Sequence, residues 1–175
     1  MANNQSRDTK LLATGAILGA AAVVLMLASC VMPTMQLTVI AAAGILSAAM
    51  LIEGGLKWAL LMYGAVSILS ALLLPDKSSA VFYILFFGHY PIIKYEIERI
   101  RKIWLSWVVK LAAGGVCTVL IIWILSAFFP EWEFDYAKGI IGLMCMAVFV
   151  LFDVALTRLL GWYQFRIRPK LYRRR

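Results

Sequence analysis

Six stretches of this chain are too apolar and too long to be the interior of a small soluble domain, and they decide what it can fold into. An α-helix rises 1.5 Å per residue, so about 20 apolar residues are needed to cross the hydrocarbon core of a bilayer. Residues 11–32, closed by Pro33, meet that length. So do residues 35–52, closed by Glu53, Gly54 and Gly55, and residues 56–74, closed by Pro75 and Asp76. Residues 111–129, closed by Pro130, and residues 139–162 supply two more. The remaining run, 79–93, is the shortest and carries Gly88, His89 and Pro91.

Composition points the same way. The chain is 63% hydrophobic and 15% charged, against roughly 45–50% and about 25% in soluble domains. A domain of 175 residues still leaves roughly 30% of its chain surface in solvent, so for most of this chain the solvent is lipid. That excludes a disordered protein, a secreted disulfide scaffold and an ordinary soluble enzyme. The expected fold is an all-α integral membrane protein: a polar N-terminus (1–10), a six-helix membrane domain (11–163) and a basic tail (164–175).

The net charge of +8 would suit nucleic acid if it lay on a soluble face, but the basic residues flank apolar runs, where lipid and topology account for them. With both termini cytoplasmic, the inner side holds Arg7, Lys10, Lys57, Lys94, Arg99, Arg101, Lys102, Arg166, Arg168, Lys170, Arg173, Arg174 and Arg175. The outer loops then hold only Lys77 and Lys138. This asymmetry is the positive-inside pattern, and an even number of spans agrees with it. Membrane lipid is therefore an expected partner and nucleic acid is not.

Between the fourth and fifth spans, residues 95–109 read YEIERIRKIWLSWVV. Ile97, Ile100, Ile103, Trp104 and Trp107 recur at helical spacing while Glu96, Glu98, Arg99, Arg101 and Lys102 take the other faces. This predicts an amphipathic helical segment at the inner interface, or an inward extension of the fourth span.

Four groups of residues could carry function. The first span presents Gly15 and Gly19, and beside them Ala16 and Ala20, as small residues four apart. Such a face lets another helix approach closely, either within the chain or as a partner-docking surface. His89, the only histidine, falls near the middle of the fourth span, as a structural histidine beside a proline break, a ligand contact or a proton relay. Asp153 falls in the inner half of the sixth span, where an unpaired carboxylate is expensive, and Lys110 and Arg158 are its expected partners. The loop 130–138 mixes Glu131, Glu133 and Asp135 with Trp132, Phe134 and Tyr136, either as a solvated aromatic belt or as a lid over an outward-facing pocket.

Several chemistries lack their residues. No phosphate-binding loop, GxSxG elbow or HExxH zinc motif occurs, and one histidine cannot build a histidine-rich metal site. Cys30, Cys117 and Cys145 all lie in apolar stretches without a CxxC pair. No catalytic residues, metal or cofactor are expected.

Six spans in 175 residues, with Arg7 and Lys10 leading into LLATGAILGAAAVV, resemble the substrate-binding S components of energy-coupling factor transporters, the bacterial vitamin-uptake systems. The resemblance covers the chain in layout and one helix in motif. It implies a membrane subunit that captures a small molecule at its outer side and relies on a transmembrane T component and two cytoplasmic ATPases for uptake. It also implies that Gly15, Ala16, Gly19 and Ala20 meet the T component, and that the ligand pocket draws on Tyr83, His89, Trp132 and Tyr136. Metal-importing members carry a histidine-bearing N-terminal segment that is lacking here, which speaks against metal uptake. The competing expectation is an accessory or scaffold protein that holds partner helices or anionic lipid without transport.

Overall fold

The computed structural model describes residues 2–98, 103–128 and 138–163. Among them, all regular structure is helical. Helix α1 (Ala2–Val31) is followed by a 3-10 turn (Pro33–Met35), α2 (Gln36–Gly54) and α3 (Leu56–Leu73). A short α4 (Lys77–Phe82) runs into a π-helical stretch (Tyr83–Phe87), and α5 (Tyr90–Ile97) continues after a turn at Gly88 and His89. Helices α6 (Ile103–Phe128) and α7 (Lys138–Trp162) complete the described chain.

Five of these helices are long and apolar enough to cross a membrane: Gln5–Val31, Pro33–Gly54, Leu56–Leu73, Trp104–Ile124 and Gly142–Trp162. Their outward faces carry large apolar side chains such as Ile17, Val24, Ile68, Leu72, Val119, Trp123 and Leu151, all well exposed. Apolar surface of that extent belongs against lipid tails rather than water. The apolar runs of the sequence fall on these helices with boundaries shifted by a few residues, except that α1 starts at Ala2, nine residues before the expected 11, and α6 at Ile103, eight before the expected 111.

The fourth run is the exception, because it does not form one helix. Gly88 N donates to Tyr83 O at 2.7 Å, a bond that spans five residues instead of four and widens the coil. Pro91 has no N–H to offer the carbonyl of Phe87, four residues back. That carbonyl lies against Gly44 of α2, where a Cβ would sit 2.5 Å from the oxygen. The backbone of the broken segment thus beds directly onto α2 at Gly44, where α2 lacks a side chain. Gly55, at φ +79, plays a different role. It takes the left-handed region that lets α2 stop and α3 begin within one residue.

The segment expected as one amphipathic helix over 95–109 is divided. Its first residues end α5 at Ile97 and its last ones open α6 at Ile103, while Arg99, Ile100, Arg101 and Lys102 lie outside the described residues. Trp104 and Trp107 are exposed near the start of α6, Trp104 at 87%.

Helices α1, α2 and α3 pack together through small and flexible residues: Ala22 and Met26 on α1, Ile40, Ala43 and Ala48 on α2, Met62 and Val66 on α3. The broken segment lies along this trio from end to end. At its start, Ser29 of α1 reaches the Ser79 hydroxyl at 3.4 Å, and Gln36 of α2 donates to Asp76 at 2.6 Å and to Ser79 at 2.7 Å. At its finish, Ile92 packs with Leu51 near the end of α2 and Ala59 near the start of α3. Asp76 caps α4 by accepting from the backbone N–H groups of Ser78 and Ser79. Burial pushes its carboxyl upward, but hydrogen bonds from Ser79 and Ser78 outweigh this and hold it below the ordinary carboxylate range. Helix α7 closes onto the broken segment through edge-on aromatic pairs, Phe86 with Phe149 and Phe87 with Phe152, at 5.5 and 4.9 Å between ring centres.

The bedding of Phe87 on α2 gives a direct test. Gly44→Ala forces a methyl group into a backbone carbonyl that cannot swing away, and a strained core insertion costs about 1–3 kcal/mol. Gly64→Ala in α3 meets nothing within 4 Å and gains helix propensity. Thermal melts in detergent should show Gly44→Ala clearly lowered and Gly64→Ala unchanged or raised.

Candidate functional site

An aspartate in an apolar helix must be neutral or paired, and the Asp153 carboxylate meets three partners. It lies on α7 with 3% of its surface exposed. Lys94 of α5, 1% exposed, contacts its Oδ1 directly, and Tyr90, one turn earlier on α5, donates to the same oxygen at 2.6 Å. Lys110 of α6 reaches Oδ2 at 3.4 Å. Lys94 also donates to the Asp153 backbone carbonyl at 3.1 Å and to the Thr157 hydroxyl at 2.7 Å. Glu98, just past α5 and partly exposed, accepts from both lysines, at 3.2 Å from Lys94 and 3.0 Å from Lys110. Two ammonium groups therefore share two carboxylates, and the cluster is neutral as a whole. The Lys110 ammonium also sits 5.7 Å from the Trp107 ring centre, within cation–π range.

The helices place this cluster through simple spacing. Tyr90, Lys94 and Glu98 are four residues apart and form one stripe of α5 and its C-terminal turn. Asp153 and Thr157 repeat the spacing on α7, and Thr157 Oγ1 donates back to the Asp153 carbonyl at 2.8 Å. The tyrosine ring that bonds Asp153 also packs against Phe149 at 4.7 Å, so the polar cluster continues into the aromatic one.

The expected partners of Asp153 are half corrected. Lys110 is one of them, but Arg158 is exposed and forms no ion pair with Asp153. The nearest cation is Lys94, which the positive-inside count treated only as an orientation signal. Its position argued otherwise, since Ile92, Ile93 and Ile97 surround it on a short apolar helix where a solvated lysine has no water.

A second group of polar atoms gathers where the fourth run breaks. The carbonyl of Ile84 accepts from the Tyr63 hydroxyl at 2.8 Å and lies 3.0 Å from His89 Nδ1. His89 Nε2 is 3.7 Å from the Cys117 thiol of α6. Tyr63 stands between Tyr83 and His89, with ring centres 6.2 and 6.3 Å away. Ser67, one turn along α3 from Tyr63, has a buried hydroxyl with no hydrogen-bond partner among the described residues. Two of the residues expected to line a pocket, Tyr83 and His89, are thus neighbours of one another through Tyr63. Tyr83 is fully buried and bonded to Ser47 at 3.0 Å, whereas His89 is half-buried. Trp132 and Tyr136 lie outside the described residues.

The small-residue face of α1 splits in two. Gly15 faces Met50 of α2 and Gly19 faces Met62 and Val66 of α3, while Ala16 and Ala20 are exposed. Among the described residues no group of three or more metal-ligating side chains occurs, and the three cysteines are free thiols. Family models, curated proteins and solved structures contain no match to this chain.

Charge balance makes the cluster testable. Lys94→Met leaves one surplus negative charge and Asp153→Leu one surplus positive charge, and removing one partner of a buried pair typically costs about 3–5 kcal/mol. The double variant leaves Lys110 with Glu98, a balanced pair. It should therefore melt above both single variants in detergent, a non-additivity that independent sites would not produce.

Proposed function

We propose that the chain is a six-crossing membrane subunit that captures a small polar molecule for uptake and relies on a separate T component and ATPases for energy, in the manner of the S components it resembles. The observation that carries this reading is the break in the fourth crossing. The broken segment runs from the Asp76 end of the α1–α3 trio to the Leu51–Ala59 end, which supports reading it as a sixth crossing. Irregular backbone at membrane depth is tolerated where protein or a water-filled cavity surrounds it, and discontinuous helices are a recurrent way to build binding sites in transporters. Here the break brings together a tyrosine, a histidine and a thiol. These are groups that recognise a small, largely uncharged molecule by hydrogen bonding and ring contact rather than by charge.

On this reading both termini are cytoplasmic and Lys57, Lys94 and Glu98 lie at the inner side. The bond from the Tyr163 hydroxyl to Glu53, 2.9 Å, supports this, because it joins the ends of α7 and α2 on one side of the bundle. Of the docking face, only Ala16 and Ala20 are free to meet a T component, since Gly15 and Gly19 are occupied within the chain. The scaffold alternative, holding partner helices or anionic lipid, draws on a different observation. Much of the bundle around α2 is filled with side chains, Tyr83, Phe87 and Met26 among the fully buried ones.

Orientation is checked with a membrane-impermeant maleimide on intact cells: Lys77→Cys should label and Lys57→Cys should not. Both side chains are exposed in the fold, so protection reports sidedness and not burial. Capture is checked by native mass spectrometry of the purified protein. A co-purified small molecule is expected, and His89→Ala should lose it while the melting temperature of the ligand-free protein stays close to that of wild type. A wild-type protein that carries no small molecule and is stabilised by none of a panel of vitamins would favour the scaffold.

A further inference from the structure

The charge cluster holds a second carboxylate besides Asp153, and both lysines touch it while they are paired with Asp153. Among the described residues, the polar links from α7 to other helices come from Asp153, Thr157 and Tyr163, all in its C-terminal half. The cluster's other members stand on α5 and α6. Helix α5 is a separate piece, divided from α4 by the π-helical stretch, Gly88 and His89, and packed on α2 and α3 through Ile92. Glu98 lies within salt-bridge distance of both Lys94 and Lys110, and its side chain is 46% exposed while both lysines are buried. If α7 withdraws, Asp153 leaves but each lysine still has Glu98 beside it. The lysines are then not stranded without a counter-charge, which is what makes the loss of a buried ion-pair partner so costly.

We propose that this cluster is a latch: α7 is a movable helix held against α5 and α6 by Asp153 beside its aromatic contacts, and Glu98, already shared by both lysines, keeps them when α7 swings away. The latch lies at the end of the bundle opposite the Asp76 cap, and it holds shut the seam between α7 and the helices that carry the break. It does not rest on the small-molecule reading, because a scaffold protein would use the same seam to admit a partner helix. In the closed arrangement the lysines share Asp153 and Glu98, and in the open one they keep Glu98 alone.

The test reads the seam and the trio separately in full-length protein in detergent, by N-ethylmaleimide labelling quantified for each cysteine. Leu156→Cys reports the seam and Ala48→Cys reports the α1–α3 trio, since both positions are fully buried. Asp153→Asn should speed labelling of Leu156→Cys by about tenfold or more while Ala48→Cys stays protected. Glu98→Gln should act in the opposite direction and slow labelling of Leu156→Cys below the wild-type rate, because the open state loses the only carboxylate it has. A merely structural ion network predicts that Glu98→Gln loosens the seam, so labelling that is unchanged or faster in that variant overturns this role of Glu98. Exposure of Ala48→Cys together with Leu156→Cys in Asp153→Asn marks general unfolding and overturns the latch.

Discussion

A carboxylate held in an apolar helix is the constraint on which the C-terminal half of this protein depends. Asp153 is tolerable on α7 only if a cation reaches it, and the fold brings two, from two different helices. That requirement fixes which face of α7 points inward and how far along α5 and α6 it sits. Once the register is set, Phe149 and Phe152 meet Phe86, Phe87 and Tyr90 on the same side of the helix. Helix association in lipid lacks the drive that water supplies to soluble cores. Charge matching and aromatic edge contacts therefore do here what apolar burial does elsewhere.

The N-terminal half is held differently. Helices α1 to α3 approach through alanine, glycine and methionine, and their order is set by shape rather than by charge. The broken segment is the junction between the two regimes. Its backbone lies on Gly44 of α2 on one side, and its aromatic side chains interlock with α7 on the other. The break lets one segment serve both neighbours, since Pro91 leaves the Phe87 carbonyl without an intrahelical donor and that carbonyl lies on α2 instead.

Much of this was legible in the sequence. The five long helices follow from apolar runs bounded by proline and glycine, and the fault in the fourth run follows from Gly88, His89 and Pro91. The π-helical stretch was not legible, because a bond that skips one residue further leaves no mark in composition. Helix rotation was hidden as well: Gly15 and Ala16 look equivalent as small residues, and only the packing of Met50 shows that they face different ways. Lys94 was readable but misread. A lysine near the end of a span satisfies the orientation rule so readily that its spacing with Tyr90 and Glu98 drew no further question. The pairing across 59 residues has no local signature at all.

That separation has a consequence for how the protein is made. Chains leave the ribosome at about 5–20 residues per second, so Lys94 enters the bilayer several seconds before Asp153 exists. During that interval the lysine needs a counter-charge that is already made. Glu98, four residues on and 3.2 Å from the ammonium, is synthesised within the same second and supplies one. Glu98 is thus a counter-charge that Lys94 has from the start, before α7 arrives to complete the set.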